Sequence, residues 1–270
     1  MRTRPSLIQS RENPVAKALL RVATSARERR LTGTTILDGE RLISAFRDSG
    51  GTAEAIAITQ PAYDDPRIRA VFETTLARKR LLLAESLVRQ ISQVVTTSGV
   101  LALVRTPDRA PLPKRVETSL LLDGIQDPGN LGSILRSAVA AGIGQIFLTR
   151  GSVFAWAPKV VRAGMGAHFF LSIHEGVDPA EVAMRATGPI VATRLRADSS
   201  LYDLDLAGPV LWMFGNEGAG LSREADAVAT RSISIPMPGA AESLNVAASV
   251  AICLFEQLRQ RRVVNPVARA

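Results

Sequence analysis

Few residues in this chain are placed where they could do chemistry, and most of them border apolar runs. The stretch 119–143, SLLLDGIQDPGNLGSILRSAVAAGI, opens on three leucines that read as a buried strand. A turn follows, Asp123-Gly124 and then Asp127-Pro128-Gly129-Asn130, in residue types that turns require. Leu131, Ile134, Leu135, Ala138 and Val139 then recur at helical spacing, with Arg136 in the second turn and Gly142 at the end. A polar loop and an arginine thus sit where a strand hands over to a helix, which is where open α/β sheets bind ligands. The same residues also suit a plain strand–loop–helix with a solvated arginine.

Two further segments share this design. The apolar run 210–214 leads into Gly215-Asn216-Glu217-Gly218-Ala219-Gly220, then Leu221 and Ser222. Three glycines in six residues let a backbone come close to a ligand or to another segment. Ser222 is a plausible N-cap with Glu224 and Asp226 in the first turn behind it. Glu217, set beside glycine, is either a solvated turn acid or a placed functional group. The third segment, 233–250, ISIPMPGAAESLNVAASV, ends a strand near Ile235-Pro236 and opens a long helix at Ser243-Leu244-Asn245, with Ser243 as the expected cap.

The elements that must position these loops alternate along the chain. Strands are expected at 119–123, 145–149, 169–173, 189–193, 210–214 and 232–236. Helices are expected at 131–142, 157–163, 178–186, 222–229 and 244–262. That pattern predicts a doubly wound, mostly parallel sheet over 117–270. Ahead of it, 106–116 carries three prolines in seven residues and reads as a stiff linker. Residues 1–105 form a smaller α/β module. Its helices are expected at 14–26 (with Val15, Ala18, Leu19 and Val22 on one face), 39–48, 66–78 and 86–92, and its strands at 34–38, 54–59, 81–84 and 100–105.

Composition narrows the function. The chain has 270 residues, 46% hydrophobic and 21% charged, which suits a globular protein of one or two domains. No apolar run approaches the ~18 residues of a membrane span. The N-terminus has charge but no apolar core, so no secretory signal is expected. Cys253 is the one cysteine, so a disulfide scaffold is excluded, and a reducing, cytoplasmic setting is expected. With only His168 and His174 besides, no zinc-type spacing exists and no metal is expected. Residues 1–116 hold 20 Lys and Arg against 11 Asp and Glu, while 117–270 hold 13 against 14. Arginine forks onto phosphate, so this asymmetry suggests a polyanion-docking module beside a near-neutral one. Arg27, Arg29 and Arg30, and the run Arg78-Lys79-Arg80, are candidate phosphate contacts, although helix C-termini favour cations for dipole reasons as well. There is no G-x-G-x-x-G after the first strand and no P-loop motif, which disfavours dinucleotide dehydrogenases and P-loop NTPases.

Taken together, DPGNLGSILRSA (127–138), FGNEGAGLS (214–222) and IPMPGAAESLNV (235–246) resemble the three motifs of the SpoU-type (TrmH-like) RNA ribose 2′-O-methyltransferases of the SPOUT class, in matching order and spacing. Upstream, IQSRENPVAKAL (8–19) and ILDGERLI (36–43) look like that family's N-terminal RNA-binding domain. The resemblance implies a C-terminal sheet closed by a trefoil knot, with S-adenosylmethionine bound among the knot loops. It implies cofactor contacts from Thr193, Gly215, Asn216, Gly220, Ile235, Met237, Leu244 and Val246. It also implies catalytic or substrate-binding roles for Asn130, Arg136, Glu217, Ser243 and Asn245. A homodimer is implied, with the last helix near the interface and Arg136 reaching toward the partner's cofactor.

A guanidinium is effectively never deprotonated, so Arg136 suits stabilising an alkoxide or holding a phosphate, with Glu217 or a phosphate oxygen taking the proton. The chain departs from the family pattern at Gly164 and Ala247, where the family commonly has serine; Ser249 stands two residues beyond the second of these. Structured rRNA is the expected substrate. A tRNA substrate and a non-catalytic RNA-binding or ribosome-assembly factor are the alternatives.

Overall fold

The computed structural model describes residues 5–92, 96–108 and 110–264. Arg109 of the expected linker lies outside them, as do residues 1–4 and 265–270 of the two expected domains. The rest of 106–115 has no regular structure, consistent with its prolines. The chain divides into two compact units, one of residues 1–108 with 156–169 and the other of 109–155 with 170–270.

The first unit carries a five-stranded mixed sheet. Its strands are β1 (Leu7–Ile8), β2 (Thr34–Asp38), β3 (Ala55–Ile58), β4 (Arg80–Leu83) and β5 (Val100–Arg105), in the order β1-β4-β3-β5-β2. Its helices are α1 (Pro14–Thr24), α2 (Ala26–Thr32), α3 (Glu40–Asp48), α4 (Gln60–Asp64), α5 (Pro66–Thr74) and α6 (Glu85–Ser92). Helix α1 starts where Asn13 Oδ1 accepts from Val15 N at 2.9 Å, with Pro14 in the first turn, where a missing N–H costs nothing. It buries Ala16, Leu19, Val22 and Ala23; Ala18, expected on that face, is exposed. The helix ends at Thr24, because Ser25 both stops α1 and caps α2 by accepting from Glu28 N.

The spatial division differs from the expected 117–270 domain in one stretch. Helix α8 (Pro158–Gly164) belongs to the first unit. Thr35 Oγ1 donates to Trp156 O at 2.6 Å, and Arg162 reaches both Asp38 and Ser92 O at 3.0 Å. Phe169 packs on Phe46, with ring centroids 5.4 Å apart. The strand expected at 169–173 is therefore displaced toward the C-terminus, to Ser172–Val177. Residues Ala167–Phe170 form a 3-10 turn instead, held by that packing.

The second unit is built on seven strands, all parallel. They are β6 (Ser119–Leu122), β7 (Gln145–Thr149), β8 (Ser172–Val177), β9 (Ile190–Thr193), β10 (Ser199–Ser200), β11 (Leu211–Phe214) and β12 (Arg231–Ser234), in the order β10-β12-β9-β11-β6-β7-β8. Helices α7 (Pro128–Ala140), α9 (Pro179–Ala183), α10 (Arg223–Asp226) and α11 (Val246–Val264) connect or follow them. β6 and β11 are buried along their whole length, which is why they read as apolar runs rather than alternation. The chain steps outward through β6, β7 and β8, then crosses to the far side of β6 for β9. Such a reversal opens a crevice at the carboxyl ends of the strands. No described helix is long and apolar enough to cross a membrane.

Candidate active site

Three loops meet at those carboxyl ends. The first leaves β6. Asp127 caps α7, its carboxylate accepting from Asn130 N at 2.7 Å. That fixes the backbone of Asn130 at the start of the helix, with its amide side chain free to bridge. The second leaves β11 at Gly215. Here Asn216 and Gly220 exchange backbone hydrogen bonds, each 2.9 Å, closing a tight loop. Asn216 Oδ1 also accepts from Gly218 N and Ala219 N, at 2.9 and 3.1 Å. A Cβ on Gly215 would stand 2.2 Å from the carbonyl carbon of Gly220, so only glycine fits. The third loop, between β12 and α11, ends at Asn245. Asn245 Oδ1 accepts from Ala247 N at 2.9 Å, so Asn245 caps α11 rather than the expected Ser243.

Side chains tie the three loops together. Asn130 Nδ2 donates to Glu217 Oε1, and Asn130 Oδ1 accepts from Asn245 Nδ2 at 2.9 Å. Three residues from three separate motifs thus form one hydrogen-bonded row, with Glu217 exposed at its end.

Beside this row lies a cleft of about 660 Å³, a size that suits a nucleoside-sized organic ligand. It is lined by Thr193, Gly215, Asn216, Glu217, Gly220, Ile235, Met237, Ser243, Leu244 and Val246, all of them expected site residues. Thr193 is oriented by its hydroxyl, which donates to Met213 O at 3.0 Å. Arg194, Leu195, Arg196, Asp226 and Ser249 also line the cleft, and sequence reasoning missed them. Arg194 pairs with Asp226 at 2.5 Å; Arg196 is exposed. For Arg194, Leu195 and Arg196 the one sequence signal was position, directly after Thr193 at the end of a parallel strand.

Asn130 and Asn245 stand at the edge of the cleft, connected to it through Glu217. Arg136 does not line it. Its side chain is exposed on α7 and makes no hydrogen bond or ion pair among the described residues. Neither histidine takes part. His174 stacks on Phe147 in the sheet, and burial pushes its pKa down. His168 is buried in the first unit.

Arg29, Arg78 and Arg80 of the basic clusters have partners within the first unit itself. Arg29 is buried, and its guanidinium donates to Val22 O and Ala23 O at 2.8 and 3.0 Å, closing the end of α1. Arg80 does the same for α5 through Glu73 O and Thr75 O, and Arg78 pairs with Glu54. Arg27 and Lys79 remain exposed.

A parallel α/β unit with a glycine-walled cleft beyond the carboxyl ends of β9, β11 and β12, bordered by an Asn–Asn–Glu row, defines a protein with room for an organic ligand beside an acid–amide site. Residues 117–255 match the SpoU rRNA methylase family, and the chain belongs to that family. A tRNA/rRNA methyltransferase from Synechocystis, itself uncharacterised, is 30% identical over 94% of both chains. The 23S rRNA (guanosine(2553)-2′-O)-methyltransferase RlmP of Bacillus subtilis is 29% identical over 92% of this chain and 97% of that one. The SpoU methyltransferase AviRb of Streptomyces viridochromogenes, solved with AdoMet, superposes with a TM-score of 0.83 at 28% identity, covering 93% of this chain and 98% of that one.

Proposed function

We propose that this chain transfers a methyl group from S-adenosylmethionine to a ribose 2′-hydroxyl of ribosomal RNA. The observation that carries the reading is the hydrogen-bonded row Asn245–Asn130–Glu217 at the rim of a glycine-walled cleft, built from three motifs far apart in sequence. The relatives named above support the reaction, and the 23S rRNA substrate of RlmP favours rRNA over tRNA.

The cleft fits the cofactor on its own terms. Gly215 has no room for a Cβ because the loop packs its own backbone there, and Ile235, Met237, Leu244 and Val246 supply apolar surface for an aromatic base. Bound there, the cofactor supplies an activated methyl group on a sulfonium. The chain's own residues do the rest. Asn130 donates to Glu217 and fixes its carboxylate, while Asn245 fixes Asn130 in turn. Glu217 is thereby placed to accept the ribose proton. Arg136 stabilises the oxygen as it gains charge, or holds a neighbouring phosphate. Ser243 serves the substrate side.

Arg136 finds no partner among the described residues of its own chain, which supports a homodimer in which it completes the partner's site. The trefoil knot belongs to the same reading, as does RNA docking by residues 1–105 in a cytoplasmic setting. The basic excess of residues 1–116 supports that docking.

The test is methylation of rRNA transcripts with labelled S-adenosylmethionine, followed by nuclease digestion. A nuclease-resistant 2′-O-methylated dinucleotide is expected. Label recovered on a base, or none from rRNA beside label from tRNA, would refute the assignment.

A further inference from the structure

The cofactor loop needs an anchor outside the cleft, and the end of β6 supplies one. Asp123 is buried, 6% exposed, and makes no ion pair among the described residues. A carboxylate in such a place must have its oxygens satisfied by hydrogen bonds. Oδ2 accepts from Ser222 N at 2.6 Å, and Oδ1 accepts from Thr149 Oγ1 at 2.6 Å. Thr149 Oγ1 in turn accepts from Gly124 N at 3.1 Å. The next residue completes the arrangement, because Gly124 O accepts from Asn216 Nδ2 at 3.0 Å.

Two consecutive residues therefore hold both ends of the 216–222 loop. Gly124 grips its entrance through Asn216, and Asp123 grips its exit through the backbone of Ser222. Between those points lie Glu217 and three residues, Gly218 to Gly220, that line the cleft. A loop this rich in glycine has little stiffness of its own.

We propose that Asp123 is a positioning residue for cofactor binding, acting through its hydrogen bonds to Ser222 and Thr149 to hold the glycine loop in its binding form. This rests on the cofactor reading given above and names the device that sustains it. Geometry, rather than charge, is what Asp123 supplies. An asparagine there keeps one oxygen for Ser222 N, while its amide donates to Thr149 Oγ1, whose own hydroxyl can turn to Arg150 O, at 3.4 Å.

The experiment is titration calorimetry of the full chain with S-adenosylhomocysteine, with melting temperature and binding stoichiometry read on the same samples. For Asp123→Ala, Kd should rise by about ten- to a hundredfold, the scale of losing hydrogen bonds to a charged group. Asp123→Asn should stay within about threefold of wild type, since both contacts survive. Ser222→Pro removes the same bond from the loop side. It also removes the hydroxyl that caps α10 through Ala225 N, a loss that the melting temperature reads; its φ of −64° already suits proline, so the fold should survive and Kd should rise at least as in Asp123→Ala.

A merely structural role would lower melting temperature and stoichiometry while leaving Kd of the folded fraction unchanged, and that result would overturn the proposal. So would an Asp123→Asn protein as weak as Asp123→Ala. Wild-type protein that bound no S-adenosylhomocysteine would refute the cofactor reading itself. Were Asp123→Ala insoluble, Ser222→Pro with wild-type Kd would still overturn the proposal.

Discussion

Gly215→Ala is the sharpest single test of the cleft. The new Cβ would meet Gly220 C at 2.2 Å, Gly220 O at 2.3 Å and Leu221 N at 2.4 Å, all backbone atoms that cannot rotate away. Forcing a methyl group into packed surroundings costs about 1–3 kcal/mol. Relief requires the loop to move, which breaks the paired Asn216–Gly220 bonds, each contributing about 1 kcal/mol net. The combined cost is about 3 kcal/mol or more, which corresponds to roughly a hundredfold in an equilibrium constant. If it falls on binding, Kd for S-adenosylhomocysteine should rise on the order of a hundredfold. If it falls on the fold, the melting temperature should drop by roughly 6–12 °C for a unit of this size. Calorimetry and thermal melting together separate the two outcomes. Gly218→Ala is the control, since its Cβ would meet only Asn216 Oδ1 at 3.6 Å, an ordinary contact, and affinity should be kept. A folded Gly215→Ala protein with wild-type affinity would show that the ligand does not depend on this loop.

Arg136→Ala should slow single-turnover methylation by about 10²-fold or more with cofactor affinity unchanged, and Arg136→Lys should not restore it fully; near-normal turnover would leave Arg136 a surface residue. Arg27→Ala with Lys79→Ala should weaken RNA binding and lower the salt slope by about two, as read by binding at several salt concentrations. Arg29→Ala should instead destabilise the first unit by about 2–4 kcal/mol in denaturant unfolding, because it removes two charge-assisted hydrogen bonds to carbonyls at the end of α1. Glu256 is held at about 2 by its hydrogen bond to Arg259, helped by Gln260, against an ordinary 4.5. A depressed carboxyl pKa adds stability above pH 4.5 that disappears as pH falls toward 2. Glu256→Gln should therefore flatten that part of the stability profile, measured by chemical unfolding at a series of pH values.

The central strands β6 and β11 of the second unit were legible because each is buried on both faces. LLL at 120–122 and LWMF at 211–214 have no polar alternation to confuse, and both fell where expected. β8 was misplaced for the opposite reason. It is an edge strand with sequence SIHEGV, half polar, while the apolar pair just before it, Phe169-Phe170, looked more like a strand. Phe169 is held by Phe46, more than a hundred residues earlier in the chain, and no local pattern carries that information. The inclusion of 156–169 in the first unit was hidden by the same non-local packing.

The site divides along the same line. Residues whose type is dictated by backbone geometry were readable: Gly215 in a loop of close backbone approach and Ser222 as a cap, while Asp127, read as a turn residue, caps α7. Residues whose role depends on what another segment presents were not. Arg29 and Arg80 looked like phosphate ligands because a guanidinium that closes a helix end and one that grips an RNA strand occupy the same place in sequence, just past the last turn. Charge counting cannot tell them apart, but burial can. Asp123 shows the converse. It read as a turn residue, and only the proximity of Ser222, 99 positions later, reveals the carboxylate as the anchor of a loop it does not adjoin in sequence. Local sequence thus specifies how each loop is shaped, while the row at the rim of the cleft exists only because Asn130, Glu217 and Asn245 meet across the ends of a parallel sheet.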